Sequence, residues 1–187
     1  MYQTTAVNKP PMETSDEAKQ DELDLAKEQG QAFQKTLKYM ANKESHGESK
    51  PAGNYQVSYA IEKAEGLYHK LDGALVWQEP TNENSHIEIT VQDGADLRFI
   101  PGLTVQVTVL DNTGKEIGSH EQPFLWHPWL FHYGRNWVLP GDGQYTVRVH
   151  IDAPDFMRHD KKNGKRYGDP VDVEFTNVRI KTGQKIS

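Results

Sequence analysis

No cysteine occurs among the 187 residues, and this absence removes whole classes of chemistry. Thiolate zinc sites, iron–sulfur clusters, cysteine nucleophiles and disulfide staples are all excluded. Long apolar runs are missing too: none approaches the roughly 20 residues that a membrane helix requires. The opening MYQTTAVNKPP has neither the basic nor the apolar part of a signal peptide, although a chain expressed from its mature start would look the same. Excess positive charge is also lacking. A net charge of -6 and a pI of about 5.7 argue against a general binder of nucleic acid or anionic membrane, both of which need clustered Lys and Arg. Neither GxGxxG nor GxxxxGK[ST] occurs, and no GxSxG elbow is present, so neither a nucleotide site nor a serine hydrolase is indicated.

What is present divides the chain in four. Residues 1–11 read as a disordered lead closed by Pro10-Pro11. Residues 12–42 read as a helix: Thr14 and Glu17 have capping-box spacing, and Leu23, Ala26, Gly30, Phe33, Leu37 and Met40 recur at steps of three and four, forming one apolar stripe. That stripe calls for a packing partner, and Gly30 within it costs up to about 1 kcal/mol unless it permits close backbone approach. Residues 43–53, rich in Lys, Glu, Ser, Gly and Pro and holding His46, read as a linker.

From residue 54 to 183 the period changes to two. Tyr55, Val57, Tyr59 and Ile61 alternate with smaller or polar residues, as do Ile87, Ile89 and Val91, then Val105, Val107 and Val109, then Tyr145, Val147, Val149 and Ile151. Short strands at Leu67–His69 and Ala74–Gln78 flank the turn Leu71-Asp72-Gly73, and DNTG at Asp111–Gly114 predicts a hairpin. Val171, Val173 and Phe175 have one parity and Val178 and Ile180 the other, which predicts a bulge near Thr176-Asn177. Seven or so such strands, with no helical pattern between them, predict an all-β, immunoglobulin-like antiparallel β-sandwich behind an N-terminal α-helix.

One stretch is unusual. PFLWHPWLFHYGRNW, Pro123 to Trp137, holds three of the four tryptophans and two of the eight histidines. It suits either a metal site with an apolar wall or an aromatic core plug with satisfied histidines. Elsewhere, His86 and Glu88 flank Ile87 on one strand, so both side chains point to one face roughly 6.6 Å apart along it. His127 and His132 are separated by Pro128, which interrupts regular geometry. His159 follows Arg158 after the Tyr145 strand. His69, His120 and His150 read as surface residues.

In order along the chain, HIE at His86–Glu88, IPGLTV at Ile100–Val105, HYG at His132–Gly134, GDGQYTV at Gly141–Val147 and RHD at Arg158–Asp160 resemble the periplasmic, copper-binding iron-transport proteins of bacteria. The resemblance runs from about Asn54 to Ile180. It implies an immunoglobulin-like, usually dimeric domain serving a membrane iron permease, with His86, Glu88, His132 and His159 as metal ligands. The family also uses a methionine shortly before HYG. This chain has Phe124-Leu125-Trp126-His127 there, so His127 takes that place, with Met157 the weaker substitute. Exchanging a thioether for imidazole favours copper(II), zinc or iron(II) over copper(I). The expectation is therefore a non-enzymatic, extracytoplasmic protein that binds copper, or iron or zinc, through His86, Glu88, His127, His132 and His159. Trp126, Trp129 and Trp137 would wall off water, and affinity would fall below about pH 6.5 as the imidazoles protonate. The alternative is a carbohydrate- or protein-binding sandwich with those tryptophans as an exposed platform.

Overall fold

The structure is a computed structural model and describes residues 11–43 and 47–185. The expected disordered lead, Pro11 apart, and His46 of the expected linker lie outside the described residues. Among the described residues, one helix, α1 (Gln20–Lys43), precedes eleven strands: β1 (Ser49–Ala52), β2 (Tyr55–Glu62), β3 (Leu67–Leu71), β4 (Ala74–Gln78), β5 (Ser85–Asp93), β6 (Val105–Leu110), β7 (Glu116–Glu121), β8 (Phe124–Trp126), β9 (Phe131–Trp137), β10 (Gly143–Ile151) and β11 (Val171–Ile180). They form a five-stranded sheet in the order β1-β2-β5-β9-β8, a four-stranded sheet in the order β11-β10-β6-β7, and a separate β3-β4 hairpin. All strand pairs are antiparallel.

Alternation decides which side chains meet between the two sheets. Val57 and Ile61 of β2, Ile87, Ile89 and Val91 of β5 and Tyr133 of β9 face Val105, Val107 and Val109 of β6, Val147 and Val149 of β10 and Phe175 of β11 in one buried cluster. Each such aliphatic side chain taken from water contributes about 1.5–3 kcal/mol. The parity change in β11 is a bulge: Tyr145 pairs with Val178 but Val147 with Phe175. Asn177 takes the left-handed conformation there (φ 58°), which Asn tolerates better than most residues. At the β3-β4 turn, Asp72 and Gly73 both have positive φ, the geometry of a type I′ hairpin.

Helix α1 begins later than the Thr14–Glu17 spacing predicts. The Ser15 hydroxyl accepts hydrogen bonds from the Glu17 and Ala18 amides in a separate turn, and the Glu22 carboxylate accepts one from the Lys19 amide at 2.7 Å. The stripe itself is as expected: Ala26, Gly30, Leu37 and Met40 are buried. Leu37 and Met40 pack with Ala60 of β2 and with Leu130, so α1 lies on the outer face of the five-stranded sheet. Gly30 is where backbones touch, since a Cβ there would stand 1.7 Å from the Asp96 carbonyl oxygen.

Two further differences follow from strands that composition concealed. The expected linker contains β1, which pairs with β2; Pro51 is tolerated because β1 is an edge strand. The Trp-rich stretch forms the β8-β9 hairpin, closed by the His127 amide donating to the Leu130 carbonyl. Among the described residues, no helix is long and apolar enough to cross a membrane.

Candidate metal centre

The outer face of the five-stranded sheet follows from register. Glu62, His86 and Asn136 stand in one row across β2, β5 and β9, and Ala60, Glu88 and Gly134 in the next. His132 lies two residues before Gly134 on the same face of β9, paired with Leu125 of β8. The methyl group of Ala60 and the bare backbone of Gly134 leave space on either side of Glu88. Gly134 admits no substitute without movement, because a Cβ there would come within 2.9 Å of both His86 Nε2 and His132 Cδ2.

Into that space three side chains converge. Glu88 Oε1 is 3.9 Å from His86 Nε2 and 3.6 Å from His132 Nε2, and one ligand atom from each of the three residues lies within 4.8 Å of the others. All three are buried. A second set, Glu65, Glu88 and His127, meets the same 4.8 Å criterion and is partly open to solvent. His127 reaches it because the β8-β9 turn brings its ring centroid to 5.1 Å from that of His132. Glu88 belongs to both sets.

The proton on His86 can be placed. Asn136 donates through Nδ2 to the Glu65 carbonyl at 2.7 Å and turns Oδ1 to His86 Nδ1 at 2.8 Å. An amide oxygen only accepts, so Nδ1 carries the hydrogen and Nε2 presents a lone pair toward Glu88 and Glu65. That nitrogen has no hydrogen-bond partner among the described residues, and neither ring nitrogen of His132 has one. An unsatisfied buried polar atom costs about 1–3 kcal/mol, so three of them weigh heavily against a typical net stability of about 5–15 kcal/mol. Burial drives the His132 pKa down to about 2, helped by the charges of His86, His127 and Lys185. His86 is lowered as well, by burial, against the opposing pull of Glu65. Both rings are thus held neutral, the form that coordinates a cation. Neutral imidazoles with carboxylates suit copper(II), zinc or iron(II), and the partnerless nitrogens fit such an ion.

Four of the five expected ligands, His86, Glu88, His127 and His132, are brought together. His159 is not: its side chain is 93% exposed and lies 3.0 Å from Glu17, in the loop that follows β10. Met157 is fully exposed as well. The expected tryptophan wall is also corrected. Trp137 has the opposite parity on β9 from His132, so it is buried between the sheets beside His120. Trp126 is 69% exposed, and Trp129 packs edge-on against Tyr39 of α1. Leu37, Met40 and Leu130 instead pack on Ala60, the residue paired with Glu88 across β2 and β5. The same burial of Trp137 removes it from any exposed tryptophan platform. Two residues escaped the sequence reading. Glu65 sits in an irregular connection with no motif, whereas Asn136 carries a usable signal, being on the HYG strand at the parity of His132.

An antiparallel β-sandwich with a buried histidine–carboxylate cluster on one outer face defines the class. The chain belongs to the Fe2+ transport protein family, whose model matches residues 78–180, more than half of its length. Solved structures share the fold. FetP of uropathogenic E. coli is 23% identical with a TM-score of 0.59, covering 73% of this chain and 94% of its own. Copper-reconstituted P19 of Campylobacter jejuni is 16% identical with a TM-score of 0.60, covering 74% and 96%. A copper-bound variant of FetP is 23% identical with a TM-score of 0.58, covering 72% and 96%. No match was found among curated proteins. These relatives are used almost to their full length, while a substantial part of this chain has no counterpart in them.

Proposed function

We propose that this protein binds a transition-metal ion outside the cytoplasm and passes it to or from a membrane iron transporter, without catalysing a reaction. One observation carries the reading: His86 Nε2 and both nitrogens of His132 are buried without partners around the Glu88 carboxylate. Copper(II) is the first candidate, supported by the donor set and by the copper-bound relatives; iron(II) and zinc suit the same donors. The family's Fe2+ transport description supports the link to an iron permease and, with it, a periplasmic setting. Handover needs a reachable end, and the half-exposed pair Glu65 and His127 supplies one. Glu88, common to both sets, can hold a cargo ion through transfer between the open and the buried set.

A homodimer belongs to the same proposal. Edge strand β8 exposes Phe124 and Trp126, a surface that a second copy would cover, and His159 joins a site only if a neighbouring copy presents it there. Isothermal titration of protein without a histidine tag tests the core claim. Copper(II) should bind tightly and near stoichiometrically to the wild type, and a His86→Ala, His132→Ala double variant should lose that binding. Equal binding by the double variant overturns the reading. Mass in solution tests the dimer.

A further inference from the structure

The end of the described chain enters the centre as a built-in cation. Gln184 bridges Ala64 in parallel fashion, the Ala64 amide donates to the Gly183 carbonyl and the Lys185 amide donates to the Ala64 carbonyl at 2.7 Å. The Gln184 side chain donates to the Thr81 and Glu83 carbonyls, and the Gly183 amide donates to the Asn84 carbonyl. Backbone bonds on two sides thus place residue 185 beside the connection between β2 and β3. Its ammonium contacts the Glu62 carboxylate and lies 2.8 Å from Glu65 Oε2. The other oxygen of the same group, Glu65 Oε1, is 3.8 Å from His86 Nε2. One carboxylate is therefore shared between the ammonium and the histidine cluster.

We propose that Lys185 sets the affinity and selectivity of the metal centre, as a tethered monovalent cation that holds Glu65 until a divalent ion claims it. This rests on the metal-binding reading above. Glu62, Glu65 and Glu88 bring three carboxylates to a buried or half-buried region, and burying such charge without a counter-charge is expensive. Lys185 supplies one positive charge where a divalent ion supplies two and also satisfies the imidazoles. An ion that gains little from nitrogen ligands cannot displace the ammonium, whereas copper(II) or zinc can. Because the strap holds the displaced ammonium near Glu62, it stays in place to reclaim Glu65 when the ion leaves.

The test compares the wild type with Lys185→Gln, which keeps a hydrogen-bond donor without charge, and with Lys185→Arg, which keeps the charge. Zinc(II) affinity is measured by isothermal titration and melting temperature is measured without metal. Lys185 is 43% exposed, so solvent screening limits its effect, and the glutamine variant should bind zinc about tenfold more tightly while melting lower without metal. The arginine variant should stay near the wild type in both. Unchanged or weaker zinc binding by the glutamine variant, with a wild type that binds, overturns the role of Lys185 and leaves the metal centre standing. A wild type that binds neither zinc nor copper(II) overturns both. Should the glutamine variant fail to fold, Lys185→Met is read in the same way.

Discussion

The two faces of β5 are equally dry and chemically opposite. Ile87, Ile89 and Val91 on the inner face are fully buried, and on the outer face His86, Glu88, Thr90 and Gln92 are buried almost as completely, none above 3% exposure. The inner residues gain from leaving water in proportion to their apolar area. Gln92 recovers a bond by donating to the Leu97 carbonyl, but His86 loses, because its Nε2 is buried without a hydrogen-bond partner among the described residues. Equal burial therefore carries opposite signs of free energy on the two faces. The inner face holds the fold together, and the outer face is kept against its own cost, which a bound cation would offset.

Three substitutions probe that contrast. The largest effect belongs to the inner face: Ile89→Ala should destabilise the protein by about 2–5 kcal/mol in chemical denaturation, while the folded fraction keeps its copper(II) affinity. A matching loss of affinity would show that the faces are not separable. Next is the cover of the outer face. Alanine is the better helix former, by about 1 kcal/mol, yet Gly30→Ala should lower stability by about 1–3 kcal/mol, since the methyl group would overlap the Asp96 carbonyl; a stabilised variant would mean that α1 is not seated there. The smallest change is a gain. His132→Leu removes two partnerless nitrogens from a buried position, so the metal-free protein should become more stable by about 1 kcal/mol as it loses metal binding. A clear fall in stability would mean that the imidazole meets an undetected partner and is structural.

Much of this contrast could be read before any coordinates. Strict alternation exposes parity, so Ile87 pointing inward and His86 with Glu88 pointing outward follow directly from three consecutive letters, and the bulge at Thr176-Asn177 follows from the change of parity between Phe175 and Val178. The stripe on α1 predicts a docked helix, and Gly30 within it is a cost that only close backbone approach would offset, which is what the Asp96 carbonyl provides. Legibility failed where a side chain's position depends on another segment. Glu65 lies in a connection fixed by the bridge between Ala64 and Gln184, residues more than a hundred positions apart, and no local pattern encodes that meeting. His159 shares a motif with the family, but its place is set by a loop that hydrogen-bonds to the segment preceding α1 through Asp160 and Asn163. Trp137 departs from expectation for a different reason: the density of aromatic residues around it hides that it and His132 are an odd number of positions apart on one strand.

Asn136 makes the centre behave as a single mechanical part. One carboxamide grips the ring of His86 with its oxygen and the peptide group of residue 65 with its nitrogen, so the strand and the irregular connection cannot drift apart independently. Any pull on that connection, from the tail or from a docking partner, reaches the imidazole as a torque on its tautomer-fixing bond. The ligand cluster is thereby linked to the connection between β2 and β3 through a lever one side chain long.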